Sequence, residues 1–161
     1  MKRLILVRHG KSSWEHDLED RERPLTKRGL SDGPMVAEAF KKEYALPEMI
    51  WTSDAVRANT TADIFKDVLN ISDSNFEVKP KLYTFDEKKL KHHIRGCEES
   101  INTLMVFGHN DAMTSLVNNF GDKYVGNVPT TGLTIIDFDV ERWTQVKKGT
   151  TVTTIFPKDL K

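Results

Sequence analysis

Cysteine is nearly absent: the chain of 161 residues has one, Cys97, in a polar stretch. A single cysteine excludes an internal disulfide and makes a reducing cytoplasm the simplest compartment. Net charge is absent too, with 24 Lys plus Arg against 24 Asp plus Glu. A balanced chain has no broad field for nucleic acid or an anionic membrane, so attraction for an anion must be local. No run approaches the ~20 apolar residues of a membrane-spanning helix. Behind Lys2-Arg3 the apolar stretch runs only from Leu4 to Val7, too short for the core of a signal peptide. No carboxylate cluster has metal-ligand spacing. Repeats, low-complexity tracts and linkers are missing as well. At this length a single domain over residues 1–161 can bury a full core.

What is present is a strand that ends on chemistry. Leu4-Ile5-Leu6-Val7 suits the interior of a sheet and runs straight into Arg8-His9-Gly10. In open α/β sheets the carboxyl end of a strand is where ligands bind, and a strand aims a side chain rigidly. One such junction would read as the start of a surface loop, but two further segments repeat the arrangement.

Met49 to Trp51 ends at Thr52-Ser53, and helical periodicity follows through Thr61, Ile64, Phe65 and Val68, with Ser53 or Asp54 as N-cap. Arg57 then falls in or near the first helical turn. A cation there opposes the helix dipole at a cost of roughly 0.3–1 kcal/mol, and a bound phosphate would reverse the sign. That favours anion binding over a side chain extended to solvent. In the third segment Leu104 to Phe107 stops at Gly108-His109. Asn110 or Asp111 caps a helix whose apolar face is Met113, Leu116, Val117 and Phe120.

Alternating patterns place strands near 3–8, 48–52, 76–79 and 103–107, and helices near 27–44, 54–70, 86–95 and 111–120. Two closing strands, near 132–140 and, with a break, 143–156, would pair as a hairpin through Asp139 to Arg142. In the first helix, either Thr26 starts it and Pro34 kinks it, or Ser31 caps it and Pro34 lies in the tolerated first turn. The pattern predicts an α/β single domain, a three-layer sandwich with a mostly parallel central sheet and helices on both faces. The long loop 9–25 carries many charges, read as solvated except for Arg23. His16, His92 and His93 read as surface residues. The last two lie on a helix with Lys88, Lys89 and Lys91, a basic face that could attract an acidic partner but reads first as solvated.

Four motifs together resemble the histidine phosphatase superfamily, also called the phosphoglycerate-mutase-like fold. They are Arg8-His9-Gly10, Ser53-x-Ala55-x-Arg57-Ala58-x-x-Thr61-Ala62, Gly108-His109-Asn110 and Arg23-Pro24-Leu25-Thr26-x-x-Gly29. Their order and spacing are specific where no single motif is. Small size and the run Arg8 to Trp14 look most like the short phosphohistidine phosphatases of the SixA type. The resemblance implies that His9 is the nucleophile that takes a phosphoryl group and passes it to water. It implies a catalytic and phosphate-binding clamp of Arg8, Arg57 and His109, with Ser12 as a further phosphate-contacting hydroxyl. A backbone carbonyl at Gly10 or a neighbour would hold the second ring nitrogen of His9. Thr130-Thr131-Gly132 would pass near the site. No metal and no cofactor are implied, because cationic side chains do the electrostatic work.

One part of the pattern is missing. Many members supply a Glu or Asp general acid after the Arg57-type helix, where this chain has Tyr83 to Glu87. Thr84 and Glu87 form a Thr-x-x-Glu capping box before a helix through Leu90 and Ile94, and Asp86 suits a first helical turn. An alkoxide needs a proton on leaving, whereas phosphohistidine can leave as neutral imidazole. The expected substrate is therefore phosphohistidine on a signalling protein. A small phosphorylated metabolite is the alternative, or an inactive module that only binds phosphoproteins. Neither nucleic acid nor membrane is an expected partner.

Overall fold

The computed structural model describes all residues 1–161. Six strands form one sheet: β1 (Lys2–Arg8), β2 (Met49–Thr52), β3 (Phe76–Val78), β4 (Thr103–Gly108), β5 (Leu133–Phe138) and β6 (Thr150–Ile155). Four helices cover it: α1 (Lys27–Glu43), α2 (Val56–Val68), α3 (Glu87–Arg95) and α4 (Ala112–Phe120). Across the sheet the order is β3-β2-β4-β1-β5-β6. All pairings among β3, β2, β4 and β1 are parallel, and β5 runs antiparallel to both its neighbours. The architecture is the expected single-domain, mostly parallel α/β sandwich.

Strand periodicity builds the two cores. Successive side chains of β1 point to opposite faces. Leu4 and Leu6 pack with Leu90 and Ile94 of α3 and Met113 and Leu116 of α4. Ile5 and Val7 pack with Val36 and Phe40 of α1 and Phe65 of α2. No helix is long and apolar enough to cross a membrane.

The same topology positions the site. β1 leads into α1 on one face, while its neighbour β4 leads into α4 on the other. The two strands end in register, Arg8 opposite Gly108. β2 ends beside β4, with Thr52 opposite Phe107. Connections that diverge to opposite faces leave a crevice at the carboxyl ends of the strands. All three motif segments of the sequence empty into that crevice.

One open local alternative is decided and several local expectations are corrected. Thr26 caps α1 by accepting from Gly29 N–H, so Pro34 lies inside the helix rather than in its first turn. α2 begins at Val56 after Ala55, and neither Ser53 nor Asp54 is its N-cap; the Ser53 hydroxyl accepts Ala55 N–H instead. α3 is capped by Asp86, whose carboxylate accepts Lys88 N–H, so no Thr84–Glu87 box forms. Thr84 Oγ1 accepts Asp86 N–H, and Glu87 accepts from Asn119 of α4. The closing hairpin is also longer than a tight turn. Trp143 is fully buried, with its indole N–H donating to Ile101 O, and Val146 is buried beside it, so this segment turns into the core before β6 begins. Cys97 lies in the core, not in a polar setting, and burial pushes its thiol up to about 12.

Candidate active site

β1 delivers His9 into the crevice. The ring is 7% exposed, and its Nδ1 lies 2.7 Å from the Gly10 carbonyl. A carbonyl only accepts, so the neutral ring carries its proton on Nδ1 and keeps a lone pair on Nε2. Arg57 Nε donates to that Nε2 at 3.3 Å. The backbone around His9 is pinned from three sides. His9 N–H donates to Gly108 O, and Thr131 N–H donates to the carbonyls of Arg8 and His9. Gly10 N–H donates to Thr61 Oγ1, whose hydroxyl donates to Arg57 O. Gly10 is tightly enclosed: a Cβ would stand 3.2 Å from Leu25 and 3.3 Å from Thr131, and those neighbours would have to shift.

His109 follows β4 as His9 follows β1, and the two rings lie 5.3 Å apart. Its Nε2 is 2.8 Å from Ser53 Oγ, and its Nδ1 is buried with no partner. Ser53 Oγ accepts Ala55 N–H, and its own proton has no other acceptor, so the arrangement that satisfies the hydroxyl has it donating to Nε2, with the His109 proton on Nδ1. A buried donor left unmatched costs about 1–3 kcal/mol, so this atom suits a bound acceptor. Tyr83 and Phe85 meet the ring edge-on at 5.3 and 5.5 Å.

Arg57 sits second in α2 and is 2% exposed, so it does not extend to solvent. Its two terminal nitrogens are held by Asp20, through the backbone carbonyl at 2.5 Å and the carboxylate at 2.8 Å. The Asp20 carboxylate also accepts from Tyr83 Oη, and from Arg23 Nε at 3.2 Å. Arg23 in turn donates to Ser12 Oγ at 2.7 Å and lies 3.5 Å over the Trp14 ring. Arg8 donates to Val128 O, and its Nε is buried without a partner.

The structure thus brings His9, Arg57 and His109 into direct contact or near-contact, with Arg8 close enough to act on both rings. Ser12 reaches the group only through Arg23 and Asp20. Thr131 lies against His9, as the sequence suggested. Asp20 overturns one expectation: it was counted among the solvated loop charges, yet it is the carboxylate at the centre of the cationic cluster. Tyr83 was likewise passed over. Nothing in the local sequence marks either residue, because each reaches the site by folding of an irregular segment rather than by a strand-to-helix junction.

Electrostatics follow from burial and from crowded cations. Burial first, then the charges of Arg57, Arg8 and Arg23, push His9 down to about 4 against the Gly10 hydrogen bond. Burial and the neighbouring His9, Arg57 and Arg8 push His109 down to about 3, with Asp20 opposing. Burial also lowers Arg8 from its ordinary value. At Asp20 burial acts upward, but hydrogen bonds from Tyr83, Arg57 and Arg23 outweigh it and hold the carboxyl well below the usual range. His109 is therefore not a cation in the empty site. Both rings should be neutral at pH 6 in the ligand-free protein, and a bound dianion should raise His109 because opposite charge favours its cation. Nitrogen-detected NMR of labelled histidine checks this. Titration of either ring near 6.5 without ligand would contradict it.

Removing the Asp20 carboxylate should make the pocket more attractive to anions. Asp20→Asn is expected to tighten competitive inhibition by inorganic phosphate about 3–10-fold, since the lost repulsion acts at short range in a partly buried site. Weaker inhibition would mean that Asp20 serves mainly to hold Arg57 in place.

Two histidines, the half-buried Arg8 and the buried Arg57 thus gather at the carboxyl ends of adjacent parallel strands in an α/β protein. Residues 4–87 match the family model of the histidine phosphatase superfamily, branch 1. The chain belongs to that superfamily. An uncharacterised chloroplastic protein of Arabidopsis thaliana is 32% identical over 118 residues, covering 68% of this chain and 54% of that protein. The chain thus spans about half the length of that curated relative. Among solved structures, the protein histidine phosphatase SixA complexed with tungstate is similar at a TM-score of 0.84, with 23% identity and 99% of each chain covered. A mycobacterial glucosyl-3-phosphoglycerate phosphatase, in a complex with VO3, is similar at 0.68 with 12% identity, covering 95% of this chain and 98% of that one. These structural likenesses establish the fold.

Proposed function

We propose that this chain is a cytoplasmic, metal-independent phosphatase that works through a phosphohistidine intermediate on His9, with phosphohistidine of a signalling protein as its substrate. The observation that carries the reading is the state of His9: Nδ1 is committed to Gly10 O, and Nε2 is left as a neutral lone pair beside the Arg57 guanidinium. Neutral imidazole is the nucleophilic form, and its depressed pKa keeps it so at physiological pH.

In the first step Nε2 forms a bond to phosphorus while the bond from phosphorus to the substrate nitrogen breaks. The bonding pair leaves on that nitrogen, and an imidazole already protonated on its distal nitrogen departs neutral. In the second step water displaces His9 from phosphorus and releases inorganic phosphate, which takes up the proton that water loses. Charge on the transferring group spreads over three oxygens, so the protein's task is positioning and electrostatic stabilisation. Arg57, Arg8 and the Nδ1–H of His109 supply donors for it. The SixA structure holds tungstate, a tetrahedral oxyanion, and the mycobacterial one holds VO3, with the three oxygens of a transferring phosphoryl group; both support a phosphate-shaped site.

The substrate preference rests on what Asp20 and the two carboxylates after β3 are doing. Asp86 is spent on capping α3, Glu87 is engaged by Asn119 and Lys91, and Asp20 is held ionised. None is free to protonate an alkoxide. Asp86→Asn and Glu87→Gln should both leave phosphohistidine hydrolysis within about twofold of the parent. Their stability should change by about 0.5 kcal/mol or less, since asparagine caps as well as aspartate and the Glu87 pair is a surface one. A phosphohistidine peptide should turn over far faster than the matching phosphoserine peptide. The reverse preference, or a large loss of kcat in either amide variant at unchanged thermal stability, would assign the site to alkyl phosphates with a carboxylate acid.

A further inference from the structure

Beyond the crevice, α3 carries a feature that the chemistry does not use. Leu90 and Ile94 fix its inward face in the core. Lys88, Lys91, His92 and Arg95 then fall at helical spacing on one outward stripe, and together they line a shallow depression of about 300 Å³ with no other residue. Their charge is poorly compensated. Neither Lys88 nor His92 has a carboxylate within ion-pair distance, and Lys91 has only Glu87, at 3.9 Å. Arg95 donates both its bonds to the carbonyl of Val146, which carries no charge. In a chain of zero formal net charge this is a concentrated local field.

Position gives the stripe its meaning. The helix starts two residues after Phe85, which is half exposed and touches the His109 ring at the mouth of the site. Lys88 is in the first turn, and the stripe leads away from the mouth for about 10 Å at 1.5 Å per residue. We propose that the α3 stripe is a docking surface for acidic residues flanking the phosphorylated side chain of a protein substrate. This rests on the functional reading above and adds the chemistry of the partner. A stripe about 10 Å long matches two or three carboxylates on one helix face or a short extended segment. It is too short to neutralise many phosphates of a nucleic acid, and the rest of the charge-balanced chain does not extend it. Complementary charge at a rim mainly speeds encounter and selects partners, and it weakens with salt.

Two synthetic peptides of equal length test the surface, each with a central phosphohistidine, one flanked by Asp and Glu and the other by Lys. The parent protein should use the acidic peptide with a kcat/KM about tenfold higher at low salt, the advantage fading towards 0.5 M NaCl. The double variant Lys88→Glu, Lys91→Glu should lose that advantage through KM, with kcat unchanged and hydrolysis of N-phosphoimidazole intact. Circular dichroism checks that α3 still forms. Equal use of both peptides by the parent, or an advantage that survives charge reversal, overturns the proposal. Fluorescence anisotropy with the unphosphorylated peptides reads the surface without turnover. Acidic-peptide binding lost on charge reversal supports the surface even if phosphohistidine is not hydrolysed, which would reject the substrate reading alone. Competition by duplex DNA or by phosphatidylserine vesicles stronger than that of the acidic peptide would assign the stripe to a different polyanion and overturn it.

Discussion

His9→Ala should lose turnover by on the order of 10⁴-fold or more while the protein stays folded. The side chain sits at the end of β1 with two hydrogen bonds, Nδ1–H to Gly10 O and Arg57 Nε–H to its Nε2, and the strand that carries it is anchored by ladders to β4 and β5. Truncation therefore removes the atom proposed to bond to phosphorus and little of what holds the sheet. The parent protein, quenched rapidly after mixing with a radioactive phosphoryl donor, should carry an adduct that is labile in acid and stable in base. The alanine variant should carry none. Activity near that of the parent in His9→Ala, or an adduct mapped to another residue, would remove the mechanism.

The second large effect is expected at Arg57. Its guanidinium makes three kinds of contact at once: Nε to His9, and the two terminal nitrogens to the carbonyl and carboxylate of Asp20. A planar fork can do this, and an ammonium on a flexible stem cannot. Arg57→Lys should keep the charge and the fold yet lower kcat by on the order of 10²-fold, with weaker binding of vanadate as well. Arg57→Ala should be worse on both counts. It empties a fully buried volume and leaves hydrogen-bonding groups unmatched, at a cost on the order of 2–4 kcal/mol in stability. Thermal melts and steady-state kinetics on the two variants separate the roles. A lysine variant with parental kcat would show that charge alone suffices and that the fork geometry is incidental.

The motif residues were legible because they share one context. Arg8-His9, Ser53 to Arg57 and Gly108-His109 each stand where an apolar strand pattern gives way to a helical one. Parallel strands in a doubly covered sheet must bring such junctions to the same end. The N-cap assignments were less legible. Ser53 has the right chemistry for a cap, but its hydroxyl is used on His109 and on the Ala55 turn, and α2 starts without it. Thr84 and Glu87 have capping-box spacing, but Asp86 between them adopts the extended cap geometry, and Glu87 turns to Asn119 of α4. In each case a tertiary partner outbid a local preference. Cys97 shows the same limit from the other side, since its polar sequence neighbours hide a core position.

The sequence by itself determined the α/β class, the strand ends that carry His9, Arg57 and His109, and the balance of charge that makes any anion site a local one. These follow from periodicity and from residue chemistry at junctions, which act over a few neighbours. Only the tertiary structure decided that β1 and β4 lie side by side with their connections on opposite faces, which opens the crevice between the two histidines. It alone decided that Asp20 and Tyr83, from segments far apart in the chain, close over Arg57 and set the charge of the pocket. Irregular segments have no period to read. Their course is fixed by which buried cation or aromatic ring is there to meet them, and that is known only once the sheet has formed.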